Sequence, residues 1–371
     1  MDLFVYGTLM SHALMAAVAG PGRLTATQAQ LEEYARLPVR DAVVPFIIAT
    51  SGAVCRGVVW HDLTDQQVNR LDLYESAFGY QRKEMRVTQG GEIVPVSCYM
   101  PPKAVVAGPG DWALQTWEPA HLAPAVLAAQ DLFSHRPLPE PGALRRMWPM
   151  IDARAWAKHR ASAGPAQIRH AAAPDDMRIV ASRPPQGSFF RLQSVDVTHR
   201  RFDGTRSHLL VREAFLGVDA AIVLPYDPLR DRVVLVEQFR MGPLMRHDPN
   251  PWMLEPVAGI VDARETPQDA AHREAQEEAG LTLRHLEPVS AFYASPGAST
   301  DFMYGYVGLC DIPQTSPYSG GLASEAEDLR LHPITLDRAL ALMDSGEIAT
   351  GPLVLLLNWL ARHRTRLRAM S

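Results

Sequence analysis

The chain has 371 residues with 36 basic and 41 acidic side chains, a formal net charge of -5 at pH 7 and 47% apolar residues. This length is sufficient for two or three domains with separate cores, and the acidic balance gives no general reason to expect a nucleic-acid partner. The 3 cysteines form neither a CxxC motif nor an even set, which predicts a reducing, cytoplasmic environment.

Neither end of the sequence has the pattern of an export or membrane segment. The opening residues MDLFVYGTLM lack a basic start followed by a long apolar stretch, so no signal peptide is expected. The apolar run LVLLLNWLA near the other end is too short to span a bilayer. Arg362, Arg364, Arg366 and Arg368 are interpreted as a solvated helix end, where the helix dipole favours cations. We therefore expect a cytoplasmic protein with no membrane partner.

The first predicted strand leads directly into a glycine loop. The strand runs from Leu3 to Tyr6, and the loop consists of Tyr6, Gly7, Thr8 and Leu9. Backbone amides in such a loop can face an anion or a carboxylate. Taken alone, the same residues also fit an ordinary strand end that contains a glycine.

A candidate acid/base residue follows in the next predicted elements. A strand from Cys55 to Trp60 precedes a helix that is capped at Thr64 and ends near Glu75. An isolated carboxylate in a largely apolar cup has a raised pKa, which suits proton transfer near neutral pH. The alternative is that Glu75 is a surface residue at a helix end.

The motifs YGTL, GVVW, LDLYE, a Tyr-x-Arg pair at Tyr80 and Arg82, and VPVSCYM with Tyr99 occur in this order. Together they resemble the gamma-glutamylcyclotransferase-like family over residues 1 to 117. The resemblance implies a small mixed β-barrel whose tyrosine-glycine loop holds a γ-glutamyl group. It also implies that Glu75 acts as acid and base while the α-amine of the substrate attacks the γ-carbonyl and 5-oxoproline is released. A docking or regulatory module is the alternative.

The composition changes to alanine, proline and arginine over residues 118 to 174. Two segments there have helical spacing, so we expect a helical connector that packs partly on the first domain and carries no chemistry. A second domain is expected over residues 175 to 371. It contains a hairpin around Pro228 and Asp231, two strands around residues 295–297 and a helix from Leu353 to His363.

An acidic helix dominates this second domain. Thr266 can cap a helix from Pro267 to Ala279, and Glu274 and Glu278 are four residues apart, which places them on one face near Glu277. Like charges so arranged repel, and Mg2+ or Mn2+ would offset that repulsion with hard oxygen ligands. From the residues alone, a solvated acidic helix face is also possible.

The spacing of this stretch follows the pattern G-x5-E-x7-R-E-U-x-E-E-x-G-U, in which U is a small or apolar residue. The matching residues are Gly259, Glu265, Arg273, Glu274, Ala275, Glu277, Glu278, Gly280 and Leu281. This is the signature of the Nudix hydrolases, and no defined position is missed. The resemblance implies an α/β/α sandwich that cleaves a nucleoside diphosphate linked to another group, with Mg2+ or Mn2+ neutralising the diphosphate and lowering the pKa of a bound water.

The Nudix resemblance also implies individual roles. Glu274 and Glu278 match the main metal ligands, Glu277 matches a further ligand or an orienting residue, and the backbone carbonyl of Ala258 adds another ligand. Arg273 matches a structural partner for a carboxylate such as that of Glu265. The structural positions of the motif are Gly259, Glu265, Arg273 and Gly280.

Further segments resemble one branch of these hydrolases, the ADP-ribose diphosphatases. They are GSFFRL, VREAF, LVEQFR, LEPVAG, ASPG and GLASEAED, and they extend over most of residues 178 to 363. The resemblance implies cleavage of ADP-ribose to AMP and ribose 5-phosphate by a homodimer that exchanges N-terminal strands. It places Phe189 or Phe190 where an aromatic ring stacks on adenine, and Arg212 and Arg240 where guanidinium groups engage diphosphate or adenine.

The acidic loop GLASEAED supplies two more candidates by the same resemblance. Glu325 matches the general base or water-orienting residue, and Glu327 matches a supplementary metal ligand; a solvated loop is the alternative, more so for Glu327. Ala298 and Asp301 stand where the family has a glycine and a glutamate, which leaves selectivity at the ribose open. The competing functions are a broader nucleoside-diphosphate-sugar hydrolase and a non-enzymatic module that holds ADP-ribose.

Overall fold

The structure is a computed structural model that describes residues 1–161, 166–187, 189–322 and 327–370. The chain divides into two compact units. The first consists of Met1–Phe189 and Gln193–Val211, and the second consists of Phe190–Leu192 and Arg212–Ser371.

The helices and strands have the following bounds. Up to residue 216 they are β1 (Leu3–Val5), α1 (His12–Ala19), β2 (Thr25–Pro38), β3 (Pro45–His61), α2 (Asp65–Ser76), β4 (Gln81–Gln89), β5 (Glu92–Met100), α3 (Leu114–Leu132), α4 (Pro141–Arg160), β6 (Met177–Ser182), β7 (Arg191–His199) and β8 (Leu210–Leu216). The later elements are β9 (Asp219–Asp227), β10 (Arg232–Phe239), α5 (Met241–Met245), β11 (Trp252–Glu255), β12 (Val257–Ile260), α6 (Pro267–Ala279), β13 (His285–Tyr293), β14 (Phe302–Leu309), β15 (Tyr318–Gly320), β16 (Leu329–Thr335), α7 (Leu336–Ser345) and α8 (Gly351–Arg368).

The first unit is built on a closed barrel with the strand order β1-β3-β2-β4-β5. β1 is antiparallel to β3 and parallel to β5, so the predicted mixed barrel is confirmed. Because side chains alternate along a strand, Phe4 and Tyr6 point into the barrel while Leu3 and Val5 join the helices outside it. β3 begins at Pro45, ten residues before the predicted Cys55, because its pairing with β2 continues as a long hairpin.

Helices α1 to α4 share one core with the outside of the barrel, which includes Leu14, Leu132 and Leu144. The two predicted helical segments of the connector are present as α3 and α4. They are joined by an ion pair between Arg154 and Asp131 at 2.9 Å, and both side chains are almost fully buried. A buried charge is costly unless it is paired, so this contact fixes α4 against α3.

The second unit is a sandwich around an eight-stranded mixed sheet with the main order β13-β14-β9-β10-β16-β15, and β11 and β12 pair with β10 and β9. Along β9 the side chains alternate between two cores. Ala221 and Val223 pack on the side of α6, and Ile222 and Leu224 pack on the side of α7 and α8. The predicted α/β/α sandwich is therefore confirmed.

The arginines of the last helix form a solvated run, as predicted, because Arg362, Arg366 and Arg368 are exposed and Arg364 is half-buried. The last three of these arginines also form ion pairs. Arg364 contacts Asp231 and lies 2.7 Å from Asp337, and Arg366 lies 2.9 Å from Glu287. Their carboxylate partners come from elements distant in sequence, which local spacing cannot reveal. The helix itself extends beyond the predicted bounds, from Gly351 to Arg368.

All 3 cysteines are free and buried. Within the described ranges, no helix combines the length and the apolar character needed to cross a membrane.

The buried pair on α4 gives a stability test. Arg154→Met removes the guanidinium that pairs with the buried Asp131 carboxylate, and breaking a buried ion pair costs about 3–5 kcal/mol. We expect the free energy of unfolding of the first unit to fall by roughly that amount in denaturant titrations of the full chain followed by tryptophan fluorescence. The matched control is Arg86→Met at an exposed position of β4. If Arg154→Met lowered the free energy of unfolding no more than this control does, the ion pair would not stabilise α4 against α3.

Candidate functional site

Helix α6 presents the carboxylates of the second unit, and its ends are fixed by local interactions. The Thr266 hydroxyl oxygen accepts a hydrogen bond from the Asp269 amide at 3.1 Å, and Pro267 occupies the first turn. Gly280 closes the helix in the left-handed conformation with φ 64°. The bounds Pro267–Ala279 agree with the sequence prediction.

Arg273 joins the loop before α6 to the helix. Its Nε and Nη2 donate to the two carboxylate oxygens of Glu265 at 2.9 Å each. Its Nη1 donates to Glu274 at 2.6 Å and to Glu277 at 2.9 Å. Nη2 also donates to the carbonyl of Ile260 at 3.0 Å. One guanidinium therefore holds three carboxylates and the end of β12.

Glu278 has no such cationic partner among the described residues. Its side chain is 4% exposed, and its carboxylate accepts one hydrogen bond, from the Ala258 amide at 3.2 Å. Burial raises the pKa of Glu278 to about 8, and the neighbouring Glu274 carboxylate adds to the effect. Burial also raises the pKa of Glu274 to about 7, although Arg273 opposes it. Glu278 is thus a buried carboxyl group without a cationic partner among the described residues, whereas its neighbour Glu274 is paired with Arg273.

Two glycines allow this close packing. A Cβ at Gly259 would lie 1.8 Å from the Glu274 carboxylate oxygen, so any other residue would displace that side chain. A Cβ at Gly320 would lie 2.0 Å from the carbonyl of Glu278, and the amide of Gly321 donates to the same carbonyl at 3.1 Å. The segment after β15 therefore packs directly on the end of α6.

Other candidates of the second unit lie around this pair. Arg240 forms an ion pair with Glu255 at 2.6 Å, and its charge lowers the pKa of Glu278, so it is close to that carboxylate. Glu327 acts in the opposite sense and raises the pKa values of Glu274 and Glu278 by repulsion. Its own carboxylate accepts from the amide of Leu322 at 3.2 Å. Glu325, the proposed base, lies outside the described residues.

The remaining candidates have exposed side chains. Phe189 is 53% exposed and ends the first segment of the first unit, whereas Phe190 is 64% exposed and belongs to the second unit. Arg212 lies on β8 and is exposed. Ring faces and guanidinium groups at such positions are accessible to a planar base or a diphosphate.

The residues at α6 fit a divalent cation in part. Glu278 is buried, unpaired with any described cation and next to Glu274, and hard carboxylate oxygens are the donors that Mg2+ prefers. Glu274 and Glu277 are at the same time drawn towards Arg273. Within the described part of the chain, no three acidic, His or Cys side chains converge at ligand spacing. The observation that favours a cation is therefore the buried Glu278 carboxylate beside Glu274.

The first unit contains a separate cavity of about 70 Å³. It is lined by residues 4–9, which include Tyr6, Gly7, Thr8 and Leu9, and by Val44, Pro45, Tyr74, Glu75, Phe78, Tyr80 and Tyr99. Burial raises the pKa of Glu75 to about 8, and Asp72 contributes by repulsion. No described residue forms a hydrogen bond with the Glu75 carboxylate, so it is free to act on a molecule in the cavity.

Hydrogen bonds from tyrosines shape this cavity. The Tyr6 hydroxyl donates to the carbonyl of Tyr99 at 2.9 Å, and the Tyr80 hydroxyl donates to that of Pro45 at 3.2 Å. The Tyr99 hydroxyl donates to Asp72 at 2.7 Å, and Arg82 donates to the same carboxylate. Asp72 is thus occupied by Tyr99 and Arg82, which leaves Glu75 as the uncommitted carboxylate.

Sequence reasoning missed the residues that support the sites. The roles of Asp72, Glu255 and Gly320 were not identified. Asp72 and Glu255 lie within the motifs LDLYE and LEPVAG that carry the resemblances, and Gly320 directly precedes GLASEAED. Two sequence signals could have indicated these residues: an acidic residue near a candidate arginine, and a pair of glycines before an acidic loop.

Comparisons with known proteins agree with this division of the chain. A family model described as gamma-glutamyl cyclotransferase, AIG2-like matches residues 3–118, and the NUDIX domain model matches residues 216–343. The ADP-ribose pyrophosphatase of Escherichia coli (strain K12) is 39% identical over 194 residues, which are 52% of this chain and 92% of the relative.

Two further relatives extend the comparison. The ADP-ribose pyrophosphatase of Haemophilus influenzae is 33% identical over 195 residues, 52% of this chain and 89% of the relative. The GDP-mannose pyrophosphatase of Citrobacter koseri is 30% identical over 184 residues, 49% of this chain and 93% of the relative. The chain therefore belongs to the ADP-ribose pyrophosphatase family of Nudix hydrolases, which act on phosphorus-containing anhydrides, and carries an AIG2-like gamma-glutamyl cyclotransferase domain in its N-terminal part.

Proposed function

We propose that the Nudix domain hydrolyses ADP-ribose to AMP and ribose 5-phosphate with Mg2+, or with Mn2+ in its place. The observation that carries this proposal is the buried Glu278 carboxylate, which has one amide donor, no described cationic partner and Glu274 beside it. A divalent cation offsets that charge. When bound, it also neutralises the diphosphate and lowers the pKa of a water molecule.

Different protein residues bind the cation, position the carboxylates and remove the proton. Glu274, Glu278 and the carbonyl of Ala258 hold the cation, and Glu327 supplements them. Arg273 keeps Glu277 and Glu274 in position through the hydrogen bonds described above. Glu325 takes the proton from the attacking water. Metal ligation and proton removal are then carried out by different carboxylates.

The substrate assignment rests on the exposed aromatic and basic side chains. Phe189 or Phe190 stacks on adenine, and Arg212 and Arg240 engage the diphosphate. The relatives include both ADP-ribose and GDP-mannose pyrophosphatases, so a broader nucleoside-diphosphate-sugar hydrolase is the second candidate for this domain. An ADP-ribose sensing module is the third.

We further propose a cytoplasmic homodimer with domains at residues 1–117 and 175–371, joined by a connector at 118–174. The support for the dimer is β6, which is an edge strand of a three-stranded sheet. Every residue of β6 is exposed. Its side chains include the apolar residues Met177, Ile179 and Val180. Exposed apolar edge strands are suited to pairing with another chain.

The metal site is tested by Glu278→Gln. The change keeps the size of the side chain but removes one anionic ligand, which is worth several kcal/mol in such sites. We expect kcat for Mg2+-dependent ADP-ribose hydrolysis to fall by about 1,000-fold, since each 1.36 kcal/mol is a factor of ten, with an unchanged circular dichroism spectrum. The control is Glu347→Gln at an exposed position after α7. Unchanged turnover in Glu278→Gln would contradict the proposal that Glu278 holds the cation.

A second activity is proposed for the N-terminal domain, namely release of 5-oxoproline from a γ-glutamyl-amine. The specific observation is Glu75, an uncommitted carboxylate in an open cavity between the Tyr6–Gly7 loop and Tyr80. The α-amine of the substrate attacks its own γ-carbonyl, a C–N bond forms and the bond to the leaving amine breaks. Glu75 takes the proton from the attacking amine and passes it to the leaving amine. A docking or regulatory module is the alternative.

Glu75→Gln tests this activity, because glutamine keeps the size and hydrogen bonding of the side chain but cannot carry the proton. We expect 5-oxoproline release to stop while the substrate still binds. In the unchanged protein the base must be ionised, and burial raises its pKa to about 8, so kcat/KM should rise as the pH increases through 8. If no γ-glutamyl compound reacts and the change alters neither binding nor Nudix activity, the domain is a docking module.

A further inference from the structure

A second cleft lies next to the Glu75 cavity in the first unit. It has a volume of about 500 Å³, and Tyr80 lines both it and the Glu75 cavity. The other lining residues come from the end of α2, the start of β4 and the start of α4: Ser76, Gly79, Gln81, Pro141, Gly142, Arg145 and Arg146. The two cavities are therefore neighbours that share the Tyr80 side chain as a wall.

Trp148 fixes the position of α4 at this point. Its ring packs edge-on against Phe78 at 4.8 Å and against Tyr74 at 5.5 Å between ring centroids. Both partners line the Glu75 cavity. Arg145 is three residues before Trp148 and so lies on the same face of the helix. A Cβ at Gly79 would lie 3.6 Å from Nη2 of Arg145, which places this guanidinium against the backbone just before Tyr80.

The cleft has uncompensated positive charge. Arg145 and Arg146 form no ion pair or hydrogen bond with any described residue, whereas Arg82 and Arg154 in the same unit each hold an aspartate. No carboxylate is among the residues that line the cleft. The amides at the start of α4 add a partial positive charge, although the preceding Glu140 is acidic. Guanidinium groups bind carboxylate or phosphate through paired hydrogen bonds.

We propose that this cleft is a subsite for an anionic group, a carboxylate or a phosphate, on the amine portion of the γ-glutamyl substrate. The inference rests on the proposed 5-oxoproline-releasing activity and extends it to the leaving group. The subsite depends on α4, which begins at Pro141 and lies outside the 3–118 segment matched by the cyclotransferase family model. The appended helix thereby determines which γ-glutamyl compounds are accepted.

The experiment uses the full chain and three compounds: γ-glutamyl-alanine, the γ-glutamyl amide of 2-aminoethyl phosphate, and γ-glutamyl-ethylamide, whose amine portion carries no anionic group. The double change Arg145→Gln with Arg146→Gln is compared with Arg86→Gln, an exposed arginine of β4. Loss of charge-assisted hydrogen bonds should raise KM for the anionic compounds by about tenfold or more with kcat unchanged. Kinetics with the ethylamide should not change, and the anionic compound with the lower KM identifies the group.

Calorimetric binding to Glu75→Gln separates this inference from the activity on which it rests. If all compounds react with the same KM and the double change has no effect, the subsite is wrong and the activity stands. If none reacts, but the anionic compounds bind and the double change removes that binding, the activity is wrong and the subsite stands. Absence of both reaction and binding overturns both.

Discussion

The catalytic half of the molecule depends on the hydrogen bonds of Arg273. This guanidinium connects Glu265 in the loop, Glu274 and Glu277 on α6, and the carbonyl of Ile260 at the end of β12. Its donors are used in a fixed fork geometry that lysine cannot reproduce. Removing it would leave three partly buried carboxylates without a cation, which is strongly destabilising. The arginine therefore sets where the helix lies over the sheet.

The hydrogen bonds of Arg273 also explain why Glu278 lacks a cationic partner at the α6 site. Arg273 compensates the carboxylates on one side of α6 but does not contact Glu278, which is buried under the Ala258 amide. Burial raises the pKa of Glu278, and repulsion from Glu274 adds to the effect. In the N-terminal domain Arg82 and Tyr99 occupy Asp72 and leave Glu75 free. In both domains, therefore, a neighbouring carboxylate is paired with an arginine while Glu278 or Glu75 has no such partner among the described residues.

The elements that the sequence predicted best are those whose determinants are local. The cap at Thr266 and the left-handed Gly280 lie within or beside the helix they bound, so the predicted helix matches the structure. The order of short motifs was sufficient for the barrel. Contacts across long sequence separations were not predicted: Arg364 with Asp231, and the packing of α4 on α2 beside the Glu75 cavity. The spacing of residues shows which side chains share one face of a helix or strand. It does not show which distant element of the chain packs against that face.

The central claim is that the Nudix domain is an ADP-ribose hydrolase rather than a broader enzyme or a sensor. It is tested most directly by incubating the full chain with equal concentrations of ADP-ribose and GDP-mannose, with Mg2+ and with a chelator, and separating the products. The account predicts AMP and ribose 5-phosphate as the main products, formed only with the metal. Preferential release of GMP, or tight binding of ADP-ribose without any cleavage in the presence of Mg2+, would contradict it.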